Sequence, residues 1–489
     1  MNIFNWLNID SAWLLVIDIF LLLLVAFPVM VIILENRNPI KTLAWLLVLL
    51  LLPFVGIVLY FYFGRNYRKV KIFSRKELSD VESSKQLLQP IEIDVSRIMT
   101  LDDEKIKSKI HLAKLLVNNS KSLLTENNSL KVLSYGKLTF ASIINDISRA
   151  EHHIHLEFYI IEDDQIGNTI KNHLIQKARE GIEVRIIYDD VGSWSLSKRF
   201  ISQLIYSGAK VFSFMPVKTY RFANKLNYRN HRKIIVIDGK TGYVGGLNIA
   251  DRYNRDESDP AYWRDTHLRI EGDAVKSLQF IFLTDWYFMS GQLLKDNIYF
   301  PAHDITEKHL VQMLASGPDS DWSSIMQTYF SAIATAYEYV YISTPYFLPN
   351  ESILTALKTA ALSGVDVRII LPMQIDTTLA KWSSRSYIEE LLESGVRVYL
   401  YKKGFTHSKI LIVDGVFVSV GTANMDVRSF DQNFEVNALV YDQNICELVK
   451  ATFFEDLSNS EMLSLNDFSK RPFSQKLRES VARLFSPLL

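Results

Sequence analysis

Two stretches of this chain carry the same chemically loaded phrase, NHRKIIVIDGKTGYVGGLN at 230–248 and THSKILIVDGVFVSVGTAN at 406–424. Both fit H-x-K-x4-D-x6-G-x2-N. His231/His407, Lys233/Lys409, Asp238/Asp414, Gly245/Gly421 and Asn248/Asn424 all share one offset, 407 − 231 = 176. A lone H-x-K carries almost no information. Two complete copies in register imply duplicated halves, each bringing one imidazole, one ammonium and one amide to a shared site. Those groups suit passage of a phosphoryl group through a phosphohistidine. Imidazole serves as nucleophile or proton donor because it titrates near working pH. Positive charge around the phosphoryl oxygens stabilises the transition state. Exchange of one phosphodiester for another is nearly isoenergetic, so no metal or nucleotide cofactor is required.

Strand geometry must position these groups. A two-residue spacing returns each lysine to the face of its histidine, and Asn248 and Asn424 can donate to the same oxygens. Asp238 and Asp414 complete the motif, but their odd offset of seven residues from the histidines points to a structural role. Each imidazole also needs a carboxylate to fix its tautomer. Asp265 in WRDTH and Glu435 in NFEVN occupy matching places after the motifs, at 265 − 231 = 34 and 435 − 407 = 28 residues. The extra length is the polar insertion DRYNRDESDPAYW. DGKTG at 238–242 resembles a nucleotide-binding loop, but Ile234 stands where that pattern needs glycine. His152, His153 and His155 have no second cluster to complete a metal site. Glu157 reads as a strand-end polar group.

The surrounding elements repeat as well. HIHLEFYI at 153–160 and VRIIY at 184–188 read as strands flanking a helix that ends near Gly181. YVYISTPYF, ILTALKTAALSG and VRIIL at 367–371 repeat the order. Strands alternating with helices predict a layered α/β fold in each half. A period this long means domain duplication rather than a solenoid.

The N-terminus differs in character. Ala12 to Leu34 holds one charge, Asp18, and Leu43 to Phe63 holds none. Each run is long enough to cross a bilayer, and the short link ENRNPIKT predicts a transmembrane hairpin rather than a cleaved signal. Asp18 reads as a boundary residue. Arg65, Arg68, Lys69, Lys71, Arg75 and Lys76 follow the second run, against Arg37 and Lys41 in the link. The positive-inside rule then places the rest of the chain in the cytoplasm. Lys+Arg and Asp+Glu are both 54, so bulk charge signals no nucleic acid, and the single Cys446 excludes an internal disulfide. At the other end Leu477, Val481, Leu484, Phe485 and Leu488 recur at helical spacing beside Arg478 and Arg483. That pattern fits a basic amphipathic helix lying on anionic lipid, or one packed on the protein core.

With both motifs placed, the chain resembles the phospholipase D superfamily, the HKD enzymes. The NPIKTLAWLL…LPFVG hairpin and WRDTHLRI make it similar to the bacterial cardiolipin synthase branch. The resemblance implies two α-β-α-β-α halves packed as a pseudo-dimer, with the active site at their seam. It counts His231, Lys233, Asp238, His407, Lys409 and Asp414 as the catalytic set. It also implies that the acidic residue after each motif partners that motif's own histidine. By family precedent His231 attacks and His407 protonates the departing glycerol, although the near symmetry of the halves also permits the reverse. The expected organisation is a hairpin at 1–65, a connector at 66–130, a first half at 131–310 and a second at 311–489. The expected activity is transfer of a phosphatidyl group between two phosphatidylglycerol molecules at the bacterial inner membrane, without nucleic-acid partners. A phospholipase D hydrolase using water is the rival reading. A membrane scaffold with a dead fold is disfavoured by the intact His, Lys and Asn of both copies.

Overall fold

The computed structural model describes residues 26–34, 39–60, 95–101, 103–217 and 228–486, in two compact units, 1–72 and 73–489. Most of the first apolar run, the basic cluster after Phe63, part of the insertion before the first motif, and Leu488 lie outside the described residues.

In the N-terminal unit, residues 26–34 are helical, and the second apolar run forms two helices, Pro39–Leu51 and Pro53–Leu59. The break falls at Leu52, because Pro53 lacks the N–H that would continue the ladder. Ile32, Leu49 and Tyr60 make a small core, with Trp45 edge-on to Tyr60 at 5.5 Å. Phe27, Ile33, Leu43, Leu47, Leu50 and Leu51 are exposed. Among the described residues no single helix is long and apolar enough to cross a membrane.

The larger unit is mixed α/β and duplicated. The first sheet has seven strands in the order Asn128–Leu133, His267–Gly272, Thr241–Gly245, Lys233–Ile237, His153–Phe158, Glu183–Asp189, Lys210–Phe214. The second repeats that order with Leu310–Ser316, Glu435–Tyr441, Phe417–Gly421, Ile410–Val413, Tyr339–Ser343, Asp366–Pro372 and Arg397–Tyr401. One extra strand sits at each of its edges, Leu124–Thr125 and Ser460–Met462. In both sheets the three strands on one side run parallel, joined by helical crossovers, and the motif strands form antiparallel hairpins.

The motif strands are continuously apolar, as strands covered on both faces must be. Ile234, Ile235, Val236 and Ile237, like Ile410, Leu411, Ile412 and Val413, are buried. Gly136–Ser148, Gln165–Arg179 and Lys198–Tyr206 bury one face of the first sheet, and Asp273–Ser290 packs on its strands as well. The sheets meet along the motif hairpins, where Thr241–Gly245 packs on Phe417–Gly421 and Glu435–Tyr441.

Part of the expected connector is built into the second half. Ile110, Leu112, Ala113 and Leu116 of the helix Ile110–Ser120 join its core, and Lys109 is buried with its Nζ 2.7 Å from Asp414 Oδ2. The apolar residues of Ile110–Ser120, irregular in sequence, become ordered by packing on a sheet about two hundred residues further along the chain.

Candidate active site

Each histidine stands just before its motif strand, held by backbone pairing with the opposite half. The N–H of His231 donates to Phe434 O at 2.9 Å, and that of His407 donates to Arg264 O at 2.7 Å. Phe434 and Arg264 directly precede Glu435 and Asp265, so the two halves exchange carboxylates. Glu435 accepts from Nδ1 of His231, both oxygens lying at 2.9 Å, and Asp265 Oδ2 lies 2.7 Å from Nδ1 of His407. This corrects the expected pairing, in which each acid served the histidine of its own half. The same residue types are used, but every pair crosses the seam.

Close approach between neighbouring strands within each sheet explains the motif glycines. A Cβ at Gly245 would lie 2.4 Å from His267 Nδ1 and 2.5 Å from Thr266 O; one at Gly421 would lie 2.3 Å from Asn437 Oδ1. Only a residue without a side chain lets the carboxylate-bearing strand pack this tightly.

Lys233 Nζ donates to His231 O at 2.7 Å, and Lys409 Nζ donates to His407 O at 2.6 Å while lying 3.0 and 3.1 Å from that ring's two nitrogens. Asn248 accepts from Ile160 N at 3.2 Å and donates to the Tyr253 hydroxyl at 2.8 Å. It thereby fixes an aromatic wall: Tyr253 and Trp263 each stand 5.4 Å from the His407 ring. Tyr159 stands 4.8 Å from His231. Asn424 is buried, its Oδ1 without a hydrogen-bond partner among the described residues.

Asp238 and Asp414 sit apart from this cluster, at the far ends of their strands. Both adopt a left-handed conformation, φ 55° and 54°, ahead of a glycine, in the Asp-Gly turn that matches strand twist. Asp238 accepts from the N–H groups of Glu151, His152 and His153 at 2.7–2.9 Å, and Asp414 from those of Tyr337, Glu338 and Tyr339 at 2.9–3.2 Å. They pin each motif hairpin to the start of the neighbouring parallel strand, which corrects their inclusion in the catalytic set.

Several supporting groups carried no sequence signal. Thr422 donates its hydroxyl to Glu435 Oε2 at 2.5 Å, and Asn433 Nδ2 donates to Oε1 at 3.2 Å. Buried Arg264 donates to Asp456 at 2.9 Å and to Ser134 O at 2.6 Å, tying the halves together beside His407. Glu157 is buried and accepts from Asn230 Nδ2 at 2.5 Å, beneath His231. The sequence reads Glu157 as a strand-end polar group and carries no signal for its partner Asn230. His153 and His155 both bond Gln279, at 3.2 and 2.7 Å, and His152 folds back on His153 at 2.8 Å. These histidines satisfy one another within the core. Among the described residues no His/Cys/Asp/Glu group is arranged to hold a metal ion.

Burial dominates the electrostatics. It pulls His231 down to about 4, with Glu435 opposing and Lys233 assisting, and pulls His407 well below the ordinary range, aided by Lys409 and Lys233. It lowers Lys233 to about 7 and Lys409 to about 8, against the upward pull of Glu435 and Asp265. The carboxylates differ. Burial raises Asp265 to about 7, whereas for Glu435 the attraction of His231 and Lys233 overcomes burial and holds it low. One imidazole thus faces a firmly ionised acid, and the other faces an acid that keeps a proton near neutrality.

A family model described as cardiolipin synthase, PLD-like domain, matches residues 143–286 and 329–457, and one described as phospholipase D-nuclease N-terminal matches 16–65. The chain is 46% identical over 468 residues to a cardiolipin synthase of Geobacillus kaustophilus, covering 95% of this chain and 92% of that protein. It is 39% identical over 477 residues to the major cardiolipin synthase ClsA of Bacillus subtilis, covering 97% and 99%. Among solved structures, a phosphatidylserine synthase from Haemophilus influenzae superposes with a TM-score of 0.59 at 15% identity, over 77% of this chain and all of that one, a likeness of fold.

Proposed function

The chain belongs to the cardiolipin synthases of the phospholipase D-like family, and from that premise we propose that it moves a phosphatidyl group from one phosphatidylglycerol to the hydroxyl of another, releasing glycerol. The observation that carries this reading is the crossed pair of histidine–carboxylate couples, which makes one site from two halves. Nδ1–H of His231 donates to ionised Glu435, leaving the Nε2 lone pair to attack phosphorus. As the N–P bond forms, the bond from phosphorus to the glycerol oxygen breaks, and the His407–Asp265 couple gives that oxygen a proton. The same couple then takes the proton of the incoming hydroxyl, whose oxygen displaces Nε2 and regenerates free His231. Asp265, raised toward neutrality, suits a proton store; Glu435, held low, suits a fixed counter-charge. These opposite environments favour His231 as nucleophile over the reverse assignment. Lys233 and Lys409 supply charge to the phosphoryl oxygens, and an arriving phosphodiester anion raises both back toward full protonation. Asn248 works through Tyr253, and Asn424 contacts the substrate.

We place the protein at the bacterial inner membrane, with 12–34 and 43–63 as a hairpin and 66–489 cytoplasmic. The exposed apolar side chains of the N-terminal unit support this, as does the match of 16–65 to the N-terminal family model. Purified full-length protein given vesicles of labelled phosphatidylglycerol should yield cardiolipin and free glycerol. Phosphatidic acid as the main product would instead make it a hydrolase. Cardiolipin formed only with added phosphatidylethanolamine would keep the synthase and change the second substrate.

A further inference from the structure

The last long helix of the chain, Phe473–Arg483, is amphipathic inside out. Its protein-facing side is polar or small: Glu479 is 1% exposed and Ala482 and Ser486 are buried. Glu479 accepts from Arg385 at 3.2 Å, Arg471 at 2.7 Å and Gln475 at 3.0 Å; Arg483 reaches Glu390 at 2.8 Å. The Ser486 hydroxyl meets those of Ser383 and Tyr387 at 2.7 and 3.1 Å. The opposite side is apolar and uncovered, with Phe473 79%, Leu477 52% and Leu484 77% exposed beside Val481 and Phe485. At about 100° per residue these side chains share one arc, with Lys476 on one flank and Arg478 on the other. Glu389, Glu390 and Glu479 take up the ion pairs of the contact, Lys476 among their partners at 3.7 Å from Glu389. Lys476 and Arg478 are the charges bordering the apolar arc.

Ordinary surface helices bury their apolar stripe and show their polar face. Here ion pairs hold the helix to the protein while it presents grease rimmed by cations. A second copy of the chain would bring the same positive rim to the contact, whereas an anionic bilayer satisfies both the apolar arc and the charges. We propose that Phe473–Arg483 is an interfacial anchor that lays this face on anionic lipid, an assignment that rests on the lipid substrate argued above. It packs on the helix Thr378–Arg385, which starts two residues after Asp376. That residue accepts from the Tyr346 hydroxyl at 2.7 Å, and its charge reaches Lys409. The anchor is therefore one helix removed from the rim of the site. There it would set the depth at which a lipid head group enters.

Full-length protein reconstituted in vesicles tests this, with a fluorophore on a cysteine placed at Leu477 or at Leu484; the native Cys446 is buried. In phosphatidylglycerol-rich vesicles both labels should shift to blue emission and be quenched by lipid-borne nitroxides. Most of that quenching should be lost in purely zwitterionic vesicles and in the Lys476→Gln/Arg478→Gln background. Labels that stay aqueous in anionic vesicles overturn the proposal. Protection that depends on protein concentration rather than lipid overturns it in favour of a second copy, and equal quenching in zwitterionic vesicles overturns the charge assignment. Leu477→Asp/Leu484→Asp should slow turnover on bilayers several-fold and leave turnover of detergent-dispersed short-chain phosphatidylglycerol unchanged; equal loss in both formats counts against an anchor. Bilayer insertion of the labels with no conversion of phosphatidylglycerol in any format would leave the anchor standing and remove the synthase reading alone.

Discussion

Glu435 holds Nδ1 of His231 at 2.9 Å across 204 residues of sequence, from the other half of the fold. Asp265 does the same for His407 at 2.7 Å. Neither half owns a complete histidine–carboxylate couple, so the cluster exists only when both are folded and docked. The crossed arrangement assigns each carboxylate a specific partner, and that assignment has kinetic consequences.

Glu435→Gln should behave as a lesion in His231. Loss of the carboxylate that fixes an imidazole tautomer costs on the order of 10⁴-fold in rate in comparable triads. The loss should fall on formation of the covalent intermediate, seen as a missing burst of glycerol. Asp265→Asn should instead slow both proton transfers, behaving as His407 variants do. A normal glycerol burst in Glu435→Gln would contradict the assignment of this couple to the nucleophile.

The pH profile follows from burial. His231 is neutral and nucleophilic above about 4 and is lost to protonation as pH falls through that value. Asp265 gives up its proton as pH rises through about 7, and Lys233 and Lys409 lose charge through about 7 and 8. kcat/KM should therefore fall at both ends, with its acid limb far below the 6.5 of an ordinary histidine. Bound phosphodiester raises the lysines, so the alkaline limb of kcat should lie above that of kcat/KM. An acid limb near 6.5, or rates still climbing at high pH, would contradict these environments.

Lys233→Met removes a buried ammonium beside the reacting centre. Turnover at saturating lipid should drop on the order of 10²–10³-fold, the usual effect of deleting one charge-stabilising contact in a water-poor site. Vesicle binding should be unchanged. Weakened adsorption with normal turnover would mean that this lysine only attracts the membrane.

Lys109→Met strands the buried carboxylate of Asp414, whose ion-pair partner lies at 2.7 Å. Breaking a buried pair from one side costs about 3–5 kcal/mol. The denaturation midpoint of the larger unit should fall accordingly, while the molecules that remain folded keep their turnover rate. An unshifted midpoint would show that the three N–H groups bonded to Asp414 suffice without the lysine.

Much of the site is legible before folding because its chemistry is local. His231 and Lys233 are two residues apart, and the offset of 176 exposes the duplication. Asp265 and Glu435 can be found by their matching positions, yet their partners cannot. Within-half and crossed pairing use the same residues at the same spacing, and only the docking of the two sheets decides between them. The helix Ile110–Ser120 escapes for the same reason: its apolar residues acquire a purpose only against the second sheet. Tyr159, Tyr253 and Trp263 line the rings without any spacing rule, since an aromatic wall needs bulk and not periodicity. The inverted polarity of Phe473–Arg483 is visible as amphipathicity in the sequence, but which side faces the protein follows from the ion pairs of Glu479 and Arg483.

The central step proposed is the transfer of a phosphatidyl group to His231 and its release with the help of His407. Rapid quenching of the full-length protein with phosphatidylglycerol, followed by digestion under alkaline conditions and mass spectrometry, reads this directly. The adduct should map to His231, form slowly but persist in His407→Asn, and be absent from His231→Asn. An adduct on His407, or normal cardiolipin production by either variant, would contradict it.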